Sequence, residues 1–195
     1  MEKKLFLEDN IGFVELIDVF GSDLTVVNAA RVSFNKESEF EPTSEAINST
    51  EHTNSSSNMP GQKLSERDAK LIQYLAKHKH ITPFFHPIIR MRIKMPIFVV
   101  REWYRHSIGF ARNEVSRRYV TDSPEFFVPQ DLRQRDVNIK QGSSDAIVLD
   151  NKIKVQEMHI FCTHVLDYYN RLLEQGVCPE QARMILPQSM YTEFI

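Results

Sequence analysis

The chain reads as a mixed α/β protein, and three observations predict it. Residues 11–20 form an apolar run with few polar breaks, as a strand does. Ile89, Met91, Ile93 and Met95 alternate with Arg90, Arg92 and Lys94, the period-two pattern of a half-buried strand. Met158, Phe161, Val165, Tyr169 and Leu172 recur at three and four residues, the stripe of a helix packed on a core.

The other elements follow in order. Ser22-Asp23 offers an N-cap for a helix running to about Val32. Residues 35–62 are dominated by Glu, Ser, Thr and Asn with few apolar side chains, too little to offset the entropy of ordering. They read as a mobile surface insertion. Ser65-Glu66-Arg67-Asp68 resembles a capping box and starts a helix with Leu71, Ile72 and Leu75 on one face. Thr82-Pro83 ends it. Pro96 stops the alternating strand and opens a helix over 96–106, with Arg101 and Arg105 one turn apart. Short strands are expected at 118–121 and 126–128. A long helix is expected over 145–175, capped by Gly176, then a short helix from Pro179 to about Leu186.

Composition narrows the class. At 195 residues a single domain is expected, long enough to bury a core. Apolar content of 42% and charged content of 26% are ordinary for a globular protein. A net charge of −2 and a pI near 6.4 argue against a general nucleic-acid binder. No apolar run suits a signal peptide or a membrane span, which predicts a cytoplasmic protein. Cys162 and Cys178 lack metal or redox spacing and suit free thiols. The acceptor patterns at Asn48 and Asn54 are read as accidental without a secretory signal. His78, His80 and His86 have no acidic or cysteine partner at ligand spacing, so no metal site is expected.

Against that neutral background, Arg101, Arg105, Arg112, Arg117 and Arg118 place five guanidinium groups in eighteen residues, opposed only by Glu102 and Glu114. Guanidinium grips phosphate through a fork of parallel hydrogen bonds. The cluster therefore predicts a site for a small phosphorylated molecule.

The same stretch carries a resemblance. Arg105-His106, followed by Asn113-Glu114-Val115-Ser116-Arg117-Arg118-Tyr119, resembles the signature of flavin-dependent thymidylate synthases, Arg-His-Arg, seven residues, then Ser. His80-Ile81-Thr82-Pro83-Phe84-Phe85-His86 matches the family's His-x-Thr-Pro-Phe-x-His. Residues 12–18, 29–34 and 96–106, Ala182-Arg183-Met184-Ile185-Leu186-Pro187 and Tyr191-Thr192 fall in the family's order.

The resemblance implies a mixed sheet flanked by helices and a homotetramer with active sites between subunits. It implies methylation of dUMP to dTMP, with methylenetetrahydrofolate as carbon donor, reduced FAD as hydride donor and NADPH as the usual reductant. It also implies site residues. Glu102, Trp103, Tyr104, Arg105, Glu114, Val115, Ser116, Arg117, Arg118 and Arg183 would contact dUMP. His80, Thr82, Arg105, His106, Ser107 and Glu114 would contact FAD. Ser116 is expected as a substrate ligand and not a nucleophile.

Three departures stand out. The third signature residue is Ser107 in place of Arg, and eight residues separate Ser107 from Ser116. Arg112 is the candidate to supply the missing guanidinium. The family's later segment, with Asn and Arg residues for FAD and an Arg that ionises uracil N3, is not in this sequence, so the chain is expected to be C-terminally truncated. The rival reading is an inactive or partner-dependent nucleotide-binding fragment.

Overall fold

A computed structural model describes residues 4–42, 62–120 and 122–195. In chain order the elements are β1 (Lys4–Phe6), β2 (Phe13–Phe20), α1 (Asp23–Arg31), β3 (Glu41–Pro42), β4 (Gln62–Lys63), α2 (Glu66–Lys77), β5 (Ile88–Pro96), α3 (Ile97–Trp103), β6 (Arg133–Arg135), β7 (Ser143–Ile147), α4 (Asn151–Glu174), α5 (Pro179–Ala182) and β8 (Tyr191–Phe194). Single 3-10 turns lie at Val32–Phe34, Thr82–Phe85 and Arg183–Ile185. The mixed α/β class stands, with antiparallel sheets and helices. The chain forms two compact units, Glu15–Met91 and Lys4–Val14 with Arg92–Ile195.

In the first unit, α1 packs on α2 and on the 82–85 turn. Val26 and Val27 of α1 and Leu75 of α2 are buried. Both helix starts follow the chemistry expected of them. The Thr25 hydroxyl accepts from the Ser22 backbone N–H at 2.9 Å, and the Ser65 hydroxyl accepts from Asp68 N–H at 3.1 Å. Gly21 turns the chain from β2 into α1 at φ +81, where a Cβ would also meet Thr25 and Pro87. The Arg31 guanidinium on α1 pairs with the Asp68 carboxylate on α2. β3 pairs antiparallel with β4, so one ladder joins the two ends of the Glu/Ser-rich insertion. The rest of that insertion, 43–61, lies outside the described residues.

One four-stranded sheet has the order β1-β2-β5-β8, and β8 and the end of β5 from Arg92 belong to the second unit. β5 and β8 run antiparallel, with Ile93 opposite Phe194 and Met95 opposite Thr192. Ile93, Met95, Val100, Cys162, Tyr169, Ala182, Tyr191 and Phe194 are buried. The first N–H groups of α3 are satisfied from outside the helix: Ile97 N donates to Met190 O at 2.9 Å and Phe98 N to Gln188 O at 3.0 Å. The cations of β5 are ion-paired, Arg92 with Glu193 at 3.3 Å and Lys94 with Glu125. In the first unit, Arg90 pairs with Asp18 in the same way.

Several elements differ from expectation for identifiable reasons. α4 starts at Asn151 and not near Asp145, because residues 143–147 form a hairpin with 133–135 and Val148 N donates to Leu132 O at 2.9 Å. The Asn151 side chain accepts from Leu132 N at 2.8 Å and donates to Gln130 O at 3.1 Å, which fixes the helix start. Phe161 is 58% exposed and its neighbour Cys162 is buried instead, while Tyr169 is buried and Met158, Val165 and Leu172 are half-buried on the expected face of α4. α3 ends at Trp103, three residues early. Residues 117–119 form a turn in place of a strand, Thr121 is outside the described residues, and 126–128 makes one bridge, Phe126 with Met190.

A half-buried carboxylate, Asp9, ties together parts of the second unit. Asp9 accepts from Ile11 N at 2.9 Å, from Gly12 N at 2.8 Å and from the Tyr191 hydroxyl. Burial pushes the Asp9 carboxyl up, but the Tyr191 hydroxyl and the two N–H groups outweigh it and hold it below its ordinary 3.8. A group held down in the folded state contributes stability that is present above its unfolded value and is lost as pH falls through the folded one. Stability should therefore decline below about pH 4. Urea midpoints measured against pH for the parent and for Asp9→Asn should show a shallower acid decline in the variant. Superimposable slopes would remove Asp9 as the cause.

Candidate functional site

The arginine-rich segment is built on β8. Asn113 N donates to Ile195 O at 2.9 Å, Ile195 N to Asn113 O at 3.0 Å, and Val115 N to Glu193 O at 2.9 Å. Glu114 thus sits in an antiparallel bridge opposite Phe194. Its carboxylate accepts from the Tyr104 hydroxyl at 3.1 Å and the Thr192 hydroxyl at 2.7 Å. Trp103 packs edge-on against Phe110, and Tyr104 against Phe194.

The guanidinium groups divide into two sets. Arg112 turns inward: it donates to Tyr104 O at 3.0 Å and to His106 O, and stacks 4.6 Å from the Tyr104 ring centroid. It closes the loop that follows α3 and satisfies carbonyls that the helix end leaves open, which explains why α3 stops at Trp103. As a replacement for the missing signature arginine, Arg112 acts here on the protein's own backbone. Arg117 donates to Asp122 O.

Arg105 and Arg183 are exposed. Arg105 makes only a loose 3.7 Å pair with Glu102, and Arg183 has no ion pair among the described residues. Arg118 donates through Nε to Glu180 at 3.1 Å. That contact sets Arg118 against α5, which leads into the turn that carries Arg183. The Ser116 hydroxyl accepts from Arg118 N at 3.3 Å, and Val115 and Arg117 line a cavity of about 270 Å³ with Lys94 and Thr192. His106 and Ser107 are exposed on the closed loop.

His80 and Thr82 lie in the first unit. They line a cavity of about 1030 Å³ together with Arg67, Lys70, Tyr74 and His86. The Tyr74 and His80 rings that line it are stacked, 29° apart with centroids at 6.1 Å. The cavity is at the upper end of the size usual for cofactor sites, about 300–1,000 Å³. Lys36, Arg67 and Lys70 are among its lining residues, which suits an anionic ligand with an aromatic ring. Ser33, Lys36, Arg67, Lys70 and Tyr74 were missing from the sequence-based site. Only their proximity in the fold reveals them. Thr192 was matched by motif but given no role, because its contact with Glu114 spans 78 positions.

The Tyr104 phenol is pushed up to about 12 by burial, then by the Glu114 charge and hydrogen bond, with Arg112 opposing. Glu114→Gln keeps the acceptor and removes the charge. Phenolate absorbance should show Tyr104 titrating closer to its ordinary 10.0 in that variant. An unmoved titration would mean the charge of Glu114 does not reach it.

This α/β protein thus carries a cavity lined by cationic and aromatic side chains in its first unit and an arginine cluster paired to β8 in its second. The sequence model described as thymidylate synthase complementing protein matches residues 15–195. The flavin-dependent thymidylate synthase of Thermosipho melanesiensis is 38% identical over 186 residues, covering 94% of this chain and 69% of that protein. That of Kosmotoga olearia is 40% identical over 185 residues, covering 93% and 69%. The crystal structure of the UMP/dUMP methylase PolB from Streptomyces cacaoi, bound with 5-Br dUMP, superimposes with a TM-score of 0.67 at 30% identity, over 93% of this chain and 69% of that one. The chain belongs to the flavin-dependent thymidylate synthase family, and it is an enzyme of the methyltransferase type.

Proposed function

We propose that this chain carries out the reductive methylation of dUMP to dTMP with FAD as its flavin, methylenetetrahydrofolate as carbon donor and NADPH as reductant. The observation that supports this most is the family match over residues 15–195, which includes every sequence-predicted site residue. Bound FAD would supply the hydride for the transferred carbon. His80 and Thr82 would hold it from the large cavity, whose size, aromatic lining and cationic side chains fit a ring system with a pyrophosphate. Arg105, His106, Ser107 and Glu114 are its further contacts in this reading.

The residues of the second unit bind and polarise dUMP. Arg118 and Arg183, with Ser116, take the phosphate as charge-assisted donors. Glu102, Trp103, Tyr104, Arg105, Glu114, Val115 and Arg117 hold the nucleoside. Cationic donors beside the uracil carbonyls stabilise negative charge developing on the ring, which makes C5 the reacting carbon. Ser116 acts as a ligand only.

The chain acts as one synthase domain in the cytoplasm and assembles as a homotetramer. No helix among the described residues is long and apolar enough to cross a membrane. Ile153, Ile160, Phe161 and Tyr168 of α4 are 46–60% exposed, and such an apolar stripe suits burial against another copy.

The test is the visible spectrum of the purified chain after FAD is added and the excess removed. Retained flavin bands near ~370 and ~450 nm are expected if the cofactor that carries the redox step is bound. Loss of all flavin would favour a partner-dependent nucleotide-binding chain.

A further inference from the structure

We propose that Thr192 is a positioning residue: its hydroxyl sets the direction in which the Glu114 carboxylate meets bound dUMP. The inference rests on the reading of Glu114 as a dUMP contact. Thr192 is 8% exposed and lies on β8 opposite Met95, so its side chain has little freedom. Its hydroxyl donates to Glu114 Oε1 at 2.7 Å, while the Tyr104 hydroxyl donates to Oε2 at 3.1 Å. The Glu114 backbone is held as well, by the bridge to Phe194 and the bonds on either side of it.

A glutamate side chain at the surface ordinarily samples many rotamers. Here both of its oxygens are tethered, from two different elements. An ionised carboxylate accepts at about four lone-pair positions, so two hydroxyl donors leave about two for a ligand. Those remaining positions are pre-oriented, and a bound group carrying N–H or O–H donors need not order them. Tyr104 is only half-buried on the rim, whereas Thr192 is fixed within the sheet. The reference direction for Glu114 therefore comes from β8. Valine has the shape of threonine without the donor, so Thr192→Val frees Oε1 with little change in packing.

The experiment is calorimetric titration of dUMP into the FAD-supplied 195-residue chain and its variants Thr192→Val, Thr192→Ser, Glu114→Ala and the Thr192→Val/Glu114→Ala double variant. Thr192→Val is expected to weaken dUMP about tenfold, the size of one hydrogen bond to a charged group. Thr192→Ser, which keeps the hydroxyl, should bind within about twofold of the parent, a difference well under one hydrogen bond. In the Glu114→Ala background, Thr192→Val should add nothing.

Thr192→Val binding like the parent while Glu114→Ala weakens dUMP overturns the inference and leaves Glu114 as a contact. Losses that simply add in the double variant overturn it too, since Thr192 would then act independently. Parent-like binding by Glu114→Ala, or no binding by the parent, overturns the site reading and the inference with it. Should the valine variant fail to fold, Thr192→Ala against Thr192→Ser makes the same comparison.

Discussion

Asp68→Ala is expected to cost about 3–5 kcal/mol of folding stability, the range for breaking a buried ion pair from one side. Asp68 is 3% exposed and sits at the first turn of α2. Its carboxylate accepts from Arg31 Nε at 3.1 Å, from the Arg31 terminal nitrogen and from the Ser65 hydroxyl at 2.9 Å. Removing it strands a guanidinium with 13% side-chain exposure against α2 and takes away the partner of the N-cap serine. The cost comes mainly from the uncompensated charge, so replacing both partners with apolar residues should recover most of it. Urea unfolding of Asp68→Ala, Arg31→Met and Arg31→Met/Asp68→Leu checks this. A double variant as unstable as either single one would show that packing around the pair, and not its charge, carries the effect. Burial raises the Asp68 carboxyl, but Arg31 and Ser65 outweigh that and hold it below 3.8, so the pair adds to the acid decline expected from Asp9.

Arg112→Ala is expected to loosen the loop after α3 and to weaken FAD by about 10- to 150-fold, equivalent to one lost hydrogen bond of a charged donor, about 1.5–3 kcal/mol. Both terminal nitrogens of Arg112 are committed to the carbonyls of Tyr104 and His106, and its plane covers the Tyr104 ring. The loop so closed presents Arg105, His106 and Ser107, the contacts proposed for the flavin. Lysine cannot span two carbonyls with a rigid fork, so Arg112→Lys should rescue little. Amide exchange at residues 104–112 and flavin affinity, measured in the same variants, should change together. Faster exchange with unchanged affinity would disconnect the loop from the flavin.

Both predictions concern contacts that motif reading does not supply. The family signature located the arginine cluster, but arginines of the same type do different work in the fold. Arg112 and Arg117 serve backbone carbonyls, whereas Arg105 and Arg183 face outward. The difference depends on which carbonyls each guanidinium reaches, and that follows from the turn after Trp103. Phe161 shows the same limit in the core. Three-and-four spacing placed Tyr169 correctly on the 24-residue helix, but only the neighbours of α4 bury Cys162 and leave Phe161 exposed.

The alternation along β5, the N-cap chemistry at Ser22 and Ser65, and the proline at the start of α3 are local, and local sequence determined them by itself. It also determined the family, because the motifs run collinearly through the chain. Tertiary structure alone decided the hairpin that delays α4 to Asn151, the pairing of residues 113–115 with β8, and the tethering of Glu114 by Tyr104 and Thr192. Those features join residues far apart in the chain, as Glu114 and Thr192 are at 78 positions. A hydrogen bond depends on distance and direction between atoms, which residue order does not encode until the strands have paired.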